Sequence, residues 1–301
     1  MITKLDQMLD ALKGKPKKKI IAVWANDSHT IGALSHAVDK DIVDAILVGD
    51  TKEIEKTCKT ENIDVKKFLQ IIHADTDIQA ANMAVRMIAD KQGEILMKGL
   101  ISTDKYMRAI LNKEVGLLPP KGVLSHVTVI ENPNYHKLLV VADVAVIPAP
   151  DINQKVAMTN YIIQVAKALQ IEKPKVAIIG ASEQVSSTIQ SSVDASILSK
   201  MGERGQIPGA IIEGPLALDL AVDKESAEIK KVNSPVAGDA DCLLFPNIEA
   251  ANVFYKTNTK LCGAELGAVV MGAKVPAVLS SRGDSTLTKL YSIALAALTA
   301  K

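Results

Sequence analysis

Short apolar runs alternate with longer segments of helical periodicity along the chain. We interpret the apolar runs as β-strands, at residues 20–25, 45–48, 95–97, 127–130, 138–141, 144–147, 176–179, 210–212, 243–245 and 277–279. Helices are expected between many of them, for example at residues 80–89 and 156–169, where apolar residues recur at helical spacing. Strands that alternate with helices predict βαβ units and a mostly parallel sheet, which is an α/β fold.

The alternation is interrupted between residues 127 and 147, where three apolar runs follow one another closely. Asn132-Pro133-Asn134 breaks the first run from the second, as turn residues do. We take this stretch as the marker of a change from one domain to the next.

Composition agrees with two globular domains. The chain has 301 residues, of which 48% are hydrophobic and 23% charged, and single cores stop growing at about 250–300 residues. Aromatic residues make up only 3%, so the core must consist of small and branched aliphatic side chains, which suits strands covered on both faces. The net charge of +1 offers no field for nucleic acid or an anionic membrane, and we expect neither as a partner.

The cysteines predict no disulfide and no metal site. Cys58, Cys242 and Cys262 form no Cys-x-x-Cys pair, and no histidine stands at zinc-site spacing from them. With no signal peptide, this sparse set predicts reduced thiols and a cytoplasmic location. We expect Cys58 on an exposed helix and Cys242 in a buried strand.

The first candidate for chemistry is the loop after the run at residues 277–279. It contains Arg282, and Asp284 or a neighbouring hydroxyl can cap the helix that follows. Loops at the carboxyl ends of parallel strands bind ligands, and a helix N-terminus beside a guanidinium favours an anion. An ordinary capped turn with a solvated arginine explains the same spacing.

A second segment follows the same logic. Lys98 ends a strand, and Ser102 or Thr103 begins a helix that carries Arg108. The lysine and the hydroxyls fit a phosphate site, whereas capping alone also explains the serine and the threonine.

Two further turns fit either a ligand-binding role or a purely structural one. Gly214-Pro215 is expected to form a tight turn after a strand, which either lets the backbone approach a ligand or reverses the chain. Asn247 follows another strand and is expected to cap a helix. Dinucleotide, P-loop and nucleophile-elbow motifs are absent from the sequence.

Taken in order, these segments resemble the phosphate acetyl/butyryltransferase family over nearly the whole chain, and the butyryl branch most. The segments that carry the resemblance are Met97-Lys98-Gly99-Leu100, Leu124-Ser125-His126-Val127, Leu198-Ser199-Lys200-Met201, Arg204-Gly205-Gln206-Ile207, Glu213-Gly214-Pro215-Leu216-Ala217-Leu218-Asp219, Phe245-Pro246-Asn247-Ile248-Glu249 and Ser281-Arg282-Gly283. Each motif is moderately specific, and the ordered set is highly specific.

The resemblance implies that a short acyl group moves between coenzyme A and phosphate. Because coenzyme A brings its own thiol, we expect direct attack of the thiolate on the acyl phosphate in a ternary complex. The resemblance also implies two α/β/α domains with an interdomain cleft, like isocitrate and isopropylmalate dehydrogenases. Their expected bounds are 1–125 with 285–301, and 126–284. Homodimers or multiples of dimers are implied, with coenzyme A and phosphate as substrates and no cofactor or metal.

Site residues also follow from the resemblance. Ser281 and Arg282 match the catalytic serine–arginine pair of the family. The residues expected to bind substrate are Lys98, Ser102, Thr103, Arg108, Ser125, Gly214, Pro215, Asn247, Gly283 and Asp284. The acetyl branch has an aspartate, regarded as the base toward the thiol, where this chain has Thr288, so the base is unassigned.

Other functions compete with this interpretation. The acyl group is not fixed by the sequence, so a phosphate acetyltransferase is one alternative. A decarboxylating dehydrogenase of the same fold needs clustered aspartates and an arginine-rich site, which the sequence does not show. A non-catalytic protein that binds acyl-CoA or acyl phosphate is the alternative from another class, although it would not need the Ser281-Arg282-Gly283 segment.

Overall fold

A computed structural model describes residues 1–280 and 284–301, and it has a mixed α/β fold. The helices are α1 (Asp6–Leu12), α2 (Ser28–Asp39), α3 (Thr51–Thr60), α4 (Asp77–Ala89), α5 (Thr103–Ile110), α6 (Ile152–Ala168), α7 (Gln190–Glu203), α8 (Leu218–Val222), α9 (Lys224–Ile229), α10 (Ile248–Leu261) and α11 (Thr286–Thr299). The strands are β1 (Lys18–Val23), β2 (Val43–Gly49), β3 (Gln70–His73), β4 (Ile95–Lys98), β5 (Ser125–Glu131), β6 (Leu139–Ala142), β7 (Lys175–Ile179), β8 (Ile211–Leu216), β9 (Cys242–Leu244), β10 (Glu265–Met271) and β11 (Ala277–Val278).

The chain divides into two compact units. The first unit consists of Leu5–Leu124 and Gly267–Lys301, and the second of Met1–Lys4 and Ser125–Leu266. The chain returns to the first unit at Gly267, earlier than the expected residue 285. The reason is that β11 pairs with β4 and β10 pairs with β11, so both late strands extend the first unit's sheet.

The strands of the first unit follow the order β3-β2-β1-β4-β11-β10. All neighbours are parallel except β10 and β11. Four consecutive residues of β1, Ile20 to Val23, have no exposed surface, which occurs only when both faces of a strand are covered. Helices α2 and α4 contact the strands of this sheet, and α11 contacts β4, β11, α1 and α2. The packing of the last helix in the first unit was predicted from the sequence and is confirmed.

The strand order reverses direction between β1 and β4. From β1 the chain passes outward to β2 and β3, and then crosses back to β4 on the other side of β1. Ligands of open α/β sheets bind at such a switch point, outside the carboxyl ends of the strands. The Gly99 amide donates to the Val23 carbonyl at 2.9 Å, and the Leu100 amide to the Trp24 carbonyl at 2.9 Å. These bonds hold the loops after β1 and β4 side by side.

The strands of the second unit follow the order β5-β6-β9-β7-β8. The last four are parallel, and β5 runs antiparallel to β6. Because of this reversal, Ser125 and His126 at the start of β5 lie at the same edge as the carboxyl end of β6.

Several local predictions are wrong. The expected strand at residues 144–147 is irregular, because the Asp143 carboxylate accepts the Ala145 and Val146 amides, both at 2.8 Å, and draws this segment into a turn. Strands β3 and β10 were not predicted. Cys58 is fully buried and not exposed, since it shares the inner face of α3 with Ile54 one turn earlier. Cys242 is buried in β9, as predicted.

No helix among the residues that the structure describes has both the length and the apolarity that a membrane span needs.

Close approach of the chain at Gly99 leads to a test of the switch point. A Cβ on residue 99 would lie 2.5 Å from the Trp24 carbonyl oxygen and 2.6 Å from that of Val23. Both atoms belong to the backbone and cannot rotate away. We expect Gly99→Ala to lower the free energy of unfolding by about 1–3 kcal/mol, the usual cost of overpacking. Denaturant unfolding measures it.

Gly32→Ala is the matched control. Its Cβ would meet the Thr286 side chain at 3.6 Å, an ordinary contact, in the interior of α2. Removing a helical glycine there should raise stability by roughly 0.5–1 kcal/mol. Equal losses in both variants would contradict the claim that Gly99 is a point of backbone contact.

Candidate functional site

The carboxyl edge of the first unit's sheet brings together the loops that follow β1, β4 and β11. These strands are parallel and adjacent, with β1 beside β4 and β4 beside β11. Each loop leads into the N-terminus of a helix, α2, α5 and α11. Helix N-termini direct free amides and a partial positive charge toward this edge, which favours a negatively charged ligand.

Lys98 is the last residue of β4 and is only 3% exposed. Its ammonium donates to the Gly99 carbonyl at 3.3 Å. A buried ammonium is costly unless it is paired or hydrogen-bonded. Its place at the strand end, where the sequence predicted a phosphate ligand, therefore puts positive charge at the switch point.

Ser102 and Thr103 begin α5. The Ser102 hydroxyl accepts the Lys105 amide at 3.3 Å and so caps the helix, while Thr103 is exposed in its first turn. Arg108 lies elsewhere. Its side chain is 78% exposed and its Nε donates to the Asp104 carboxylate at 3.0 Å, one turn back along α5. The structure therefore places Ser102 at the start of α5, in the loop that follows Lys98 and β4, but leaves Arg108 on the surface of its helix.

The loop after β11 carries most of the predicted chemistry. Ser281, Arg282 and Gly283 lie outside the described residues, and Asp284 follows them, partly exposed. The Ser285 hydroxyl accepts the Thr288 amide at 3.1 Å and caps α11. Thr288, at the position of the acetyl branch's aspartate, is buried in the first turn.

Sequence reasoning missed Lys289, which is 3% exposed in α11 and donates to the Ser280 hydroxyl at 2.9 Å. Burial lowers the pKa of the Lys289 ammonium, and the charges of Asp27 and Asp284 oppose that shift. A signal for it exists in the sequence, since Lys289 shares a helical face with the apolar residues Ile293 and Ala296.

Asp27 and Thr30 were also missed. Asp27 caps α2 through one carboxylate oxygen, which accepts the Thr30 amide at 2.9 Å. The other oxygen of Asp27 and the Thr30 hydroxyl are buried and have no hydrogen-bond partner among the described residues. Buried polar atoms without partners are rare, and they mark this end of α2 as a place where a polar group belongs.

The carboxyl edge of the second unit's sheet has its own polar group. Ser125 is fully buried at the start of β5, and its hydroxyl has no partner among the described residues. Beside it, Asp143 accepts the His126 amide at 3.0 Å, besides the two amides of the following turn. The structure thus supports a polar site at the predicted Ser125, and it adds Asp143, which the sequence did not indicate.

Gly214, Pro215 and Asn247 have local structural explanations. Gly214-Pro215 lies within β8 and does not follow a strand as a turn, so that expectation is wrong. A Cβ on Gly214 would lie 2.7 Å from the Ile178 side chain, where the pairing of β7 with β8 is irregular. Asn247 caps α10 by accepting the Ala250 amide at 3.0 Å, as predicted.

In the part of the chain that the structure describes, no three His, Cys, Asp or Glu side chains come together in a way that could hold a metal ion.

A doubly wound α/β unit with buried lysines and three helix N-termini at one sheet edge is typical of proteins that bind anionic ligands at the switch point. Residues 73–297 match the family described as phosphate acetyl/butaryl transferase, and the chain belongs to that family. The resemblance noted from the sequence is confirmed.

Relatives match this chain from end to end. A phosphate butyryltransferase of Clostridium beijerinckii is 42% identical over 300 residues, covering 100% of this chain and 99% of its own length. A phosphate acetyltransferase of Thermotoga maritima is 39% identical, covering 98% of this chain and 99% of its own. The crystal structure of a branched-chain phosphotransacylase from Enterococcus faecalis superposes with a TM-score of 0.81 at 28% identity, over 94% of this chain and 100% of that one.

Proposed function

We propose that this chain reversibly transfers a short acyl group, with butyryl favoured, between coenzyme A and inorganic phosphate. The observation that carries the proposal is the full-length identity of 42% with a phosphate butyryltransferase. The buried ammonium of Lys98 at the switch point supports a phosphate-binding role for this edge. A phosphate acetyltransferase is the alternative, supported by the 39% identity with one such enzyme.

Phosphate binds, in this proposal, at the carboxyl edge of the first unit. Lys98, Ser102 and Thr103 provide charge and hydroxyls there, and Arg282 neutralises the phosphoryl oxygens. Ser281, with nearby amides, donates hydrogen bonds to the oxyanion on the acyl carbon. Gly283 and Asp284 complete the loop. The roles of Ser281, Arg282 and Gly283 rest on the family resemblance.

The remaining binding assignments have less support. Arg108 would have to leave its exposed pair with Asp104, an interaction weak enough to be exchanged for a ligand. Ser125 offers a buried hydroxyl for coenzyme A or the acyl group. Gly214, Pro215 and Asn247 are assigned to substrate binding on the family resemblance alone.

The reaction requires little from the enzyme. The thiolate sulfur of coenzyme A forms a bond to the acyl carbon, the bond from that carbon to the phosphate oxygen breaks, and phosphate leaves with the electron pair. Orientation of the two substrates supplies about 7–11 kcal/mol. One well-placed oxyanion donor supplies about 3–4 kcal/mol. No metal or redox cofactor is proposed.

The proposal extends to organisation. We infer a cytoplasmic homodimer or multiple of dimers, with two domains of the isocitrate/isopropylmalate dehydrogenase kind and an active cleft between them. Family resemblance supports each of these points, and the near-neutral charge of +1 supports the absence of nucleic-acid and membrane partners.

An acyl-CoA series tests the function. We expect release of coenzyme A from butyryl-CoA to require phosphate, and butyryl-CoA to have a higher kcat/KM than acetyl-, propionyl- or branched acyl-CoA. A preference for acetyl-CoA would identify a phosphate acetyltransferase. Tight binding of acyl-CoA without turnover would instead indicate a non-catalytic protein that binds acyl-CoA.

Arg282→Gln tests the phosphate site. Loss of the guanidinium should lower kcat/KM by about 10²-fold, the size of a single lost transition-state donor. Arg282→Lys should recover part of it, since an ammonium keeps the charge but lacks the planar fork. Arg86→Gln, on the exposed surface of α4, is the control and should have the rate of the unaltered enzyme. A normal rate for Arg282→Gln would remove Arg282 from the site.

We further expect no acyl-enzyme intermediate. Burial raises the pKa of the Cys58 and Cys242 thiols, which keeps them protonated and weakly nucleophilic at neutral pH. Cys262 directly follows α10 and is partly exposed. Because coenzyme A brings its own thiol, a second nucleophile would add a step without lowering the barrier.

The test is exchange of labelled phosphate into butyryl phosphate without coenzyme A. Direct transfer predicts no exchange, and it predicts that a variant with all three cysteines replaced by alanine retains most of its rate. Rapid exchange, or a butyryl adduct on any side chain in mass spectrometry, would exclude direct transfer.

A further inference from the structure

Lys289 stands out among the buried groups that the proposed chemistry does not use. It lies in the first turn of α11, 3% exposed, and its ammonium donates to the hydroxyl of Ser280 at 2.9 Å. Ser280 is itself buried, at 5% exposed, and directly precedes Ser281. The lysine therefore holds the chain at the point where it enters the segment of the proposed catalytic pair.

The same ammonium acts on the far side of that segment. Asp284, the first residue after Gly283, attracts Lys289 electrostatically, and so does Asp27 at the N-terminus of α2. One oxygen of Asp27 is buried without a hydrogen-bond partner among the described residues, so it needs a cation nearby. Lys289 thus donates a hydrogen bond to the residue that follows β11, and its charge is attracted by the carboxylates that precede α11 and α2.

Stability alone does not account for a lysine at this position. Buried ion pairs are often replaced by apolar residues of similar volume at no loss of stability. The neighbouring positions on the same face of α11, Ile293 and Ala296, are apolar, and methionine would fill the space of the lysine stem. The charge lies beside the one loop that carries the proposed catalytic pair.

We propose that Lys289 is a positioning residue for acyl transfer, which holds Ser280 by a hydrogen bond and attracts Asp284, the two residues on either side of the proposed catalytic segment. This rests on the proposed function, because Ser281 and Arg282 take their roles from it. Lys289 acts through these neighbours and is not assigned contact with either substrate.

Positioning and packing predict different kinetics. A misplacement of about 1 Å costs up to about 10²-fold in rate, mostly in the transition state. We therefore expect Lys289→Met to lower kcat by roughly 10- to 100-fold, with KM for butyryl-CoA and for phosphate changed less than about threefold. Lys289→Arg keeps the charge and the donors. The decrease in log kcat of Lys289→Arg should therefore be no more than about two thirds of the decrease in Lys289→Met.

A double-mutant cycle shows whether Lys289 acts through Ser280. Ser280→Ala removes the acceptor and leaves the ammonium in place, so it should lower kcat in the same direction. Lys289→Met should cost much less in the Ser280→Ala background than in the unaltered enzyme, since residues that act as a unit are not additive. Independent, additive effects would overturn positioning through Ser280. If Lys289→Met does not fold, a normal kcat in Ser280→Ala, which removes only a hydroxyl, would overturn the proposal.

A second buried lysine provides the control. Lys155, 5% exposed in α6, pairs with Asp194 at 2.5 Å within the second unit. The double variant Lys155→Met/Asp194→Asn removes a buried charge pair of similar burial and should leave kcat within about twofold, whatever its melting temperature. An equal loss of kcat in this control would mean that Lys289→Met reports loss of packing, and would overturn the proposal.

The outcomes separate the two claims. Normal kcat in a folded Lys289→Met enzyme overturns the role of Lys289 and leaves the proposed function intact. If the unaltered protein turns over no acyl-CoA of the series with phosphate, the proposed function fails, and the role of Lys289 fails with it.

Discussion

The parallel pairing of β1 with β4 sets the geometry of the first unit, and it depends on the absence of a side chain at Gly99. The backbone of Gly99 lies against the carbonyls of Val23 and Trp24, and it donates to the first of them at 2.9 Å. This contact fixes two neighbouring loops at the switch point of the sheet. Helices α2 and α5 then begin after adjacent strands at the same edge of the sheet, and α11 begins at that edge too because β11 pairs with β4.

Charge at this edge follows from that arrangement. Lys98 and Lys289 are each 3% exposed, at the end of β4 and in the first turn of α11. Desolvation makes isolated buried ammonium groups unfavourable, so both must be compensated by nearby polar or anionic groups. Asp27 and Asp284 provide part of this compensation for Lys289. A bound phosphate would add to it, and in this way an otherwise costly arrangement becomes useful for transferring an acyl group to or from phosphate.

Much of the fold was predictable from the sequence because parallel strands covered on both faces are continuous apolar runs. Nine of the ten expected runs overlap observed strands. The strand predicted at residues 144–147 does not form, because the Asp143 carboxylate accepts hydrogen bonds from two of its backbone amides. Strand β3 was not predicted because its residues are exposed or half-buried and do not form a long apolar run. The pattern of apolar residues therefore predicts neither a turn made by side-chain hydrogen bonds nor a short, exposed strand at the edge of a sheet.

The candidate site was predictable only in part, for a related reason. Motif resemblance located Lys98 and Ser102, which lie at a strand end and a helix start. It also singled out Arg108, whose side chain is exposed and paired with Asp104, because a motif does not state which way a side chain faces. Lys289 and Asp27 belong to no motif. They become visible only when α2 and α11 pack together and bring their first turns close.

Hydrogen–deuterium exchange tests most directly whether the carboxyl edge of the first unit binds the reacting phosphate. Amide exchange is compared for the protein alone and with phosphate plus coenzyme A. The account predicts slower exchange in residues 24–30, 98–103 and 284–289, the ends of the three loops. Residues 135–139 and 171–175, at the amino edge of the second unit's sheet, should not change. Unchanged exchange in all three loop segments, with protection elsewhere in the chain, would contradict it.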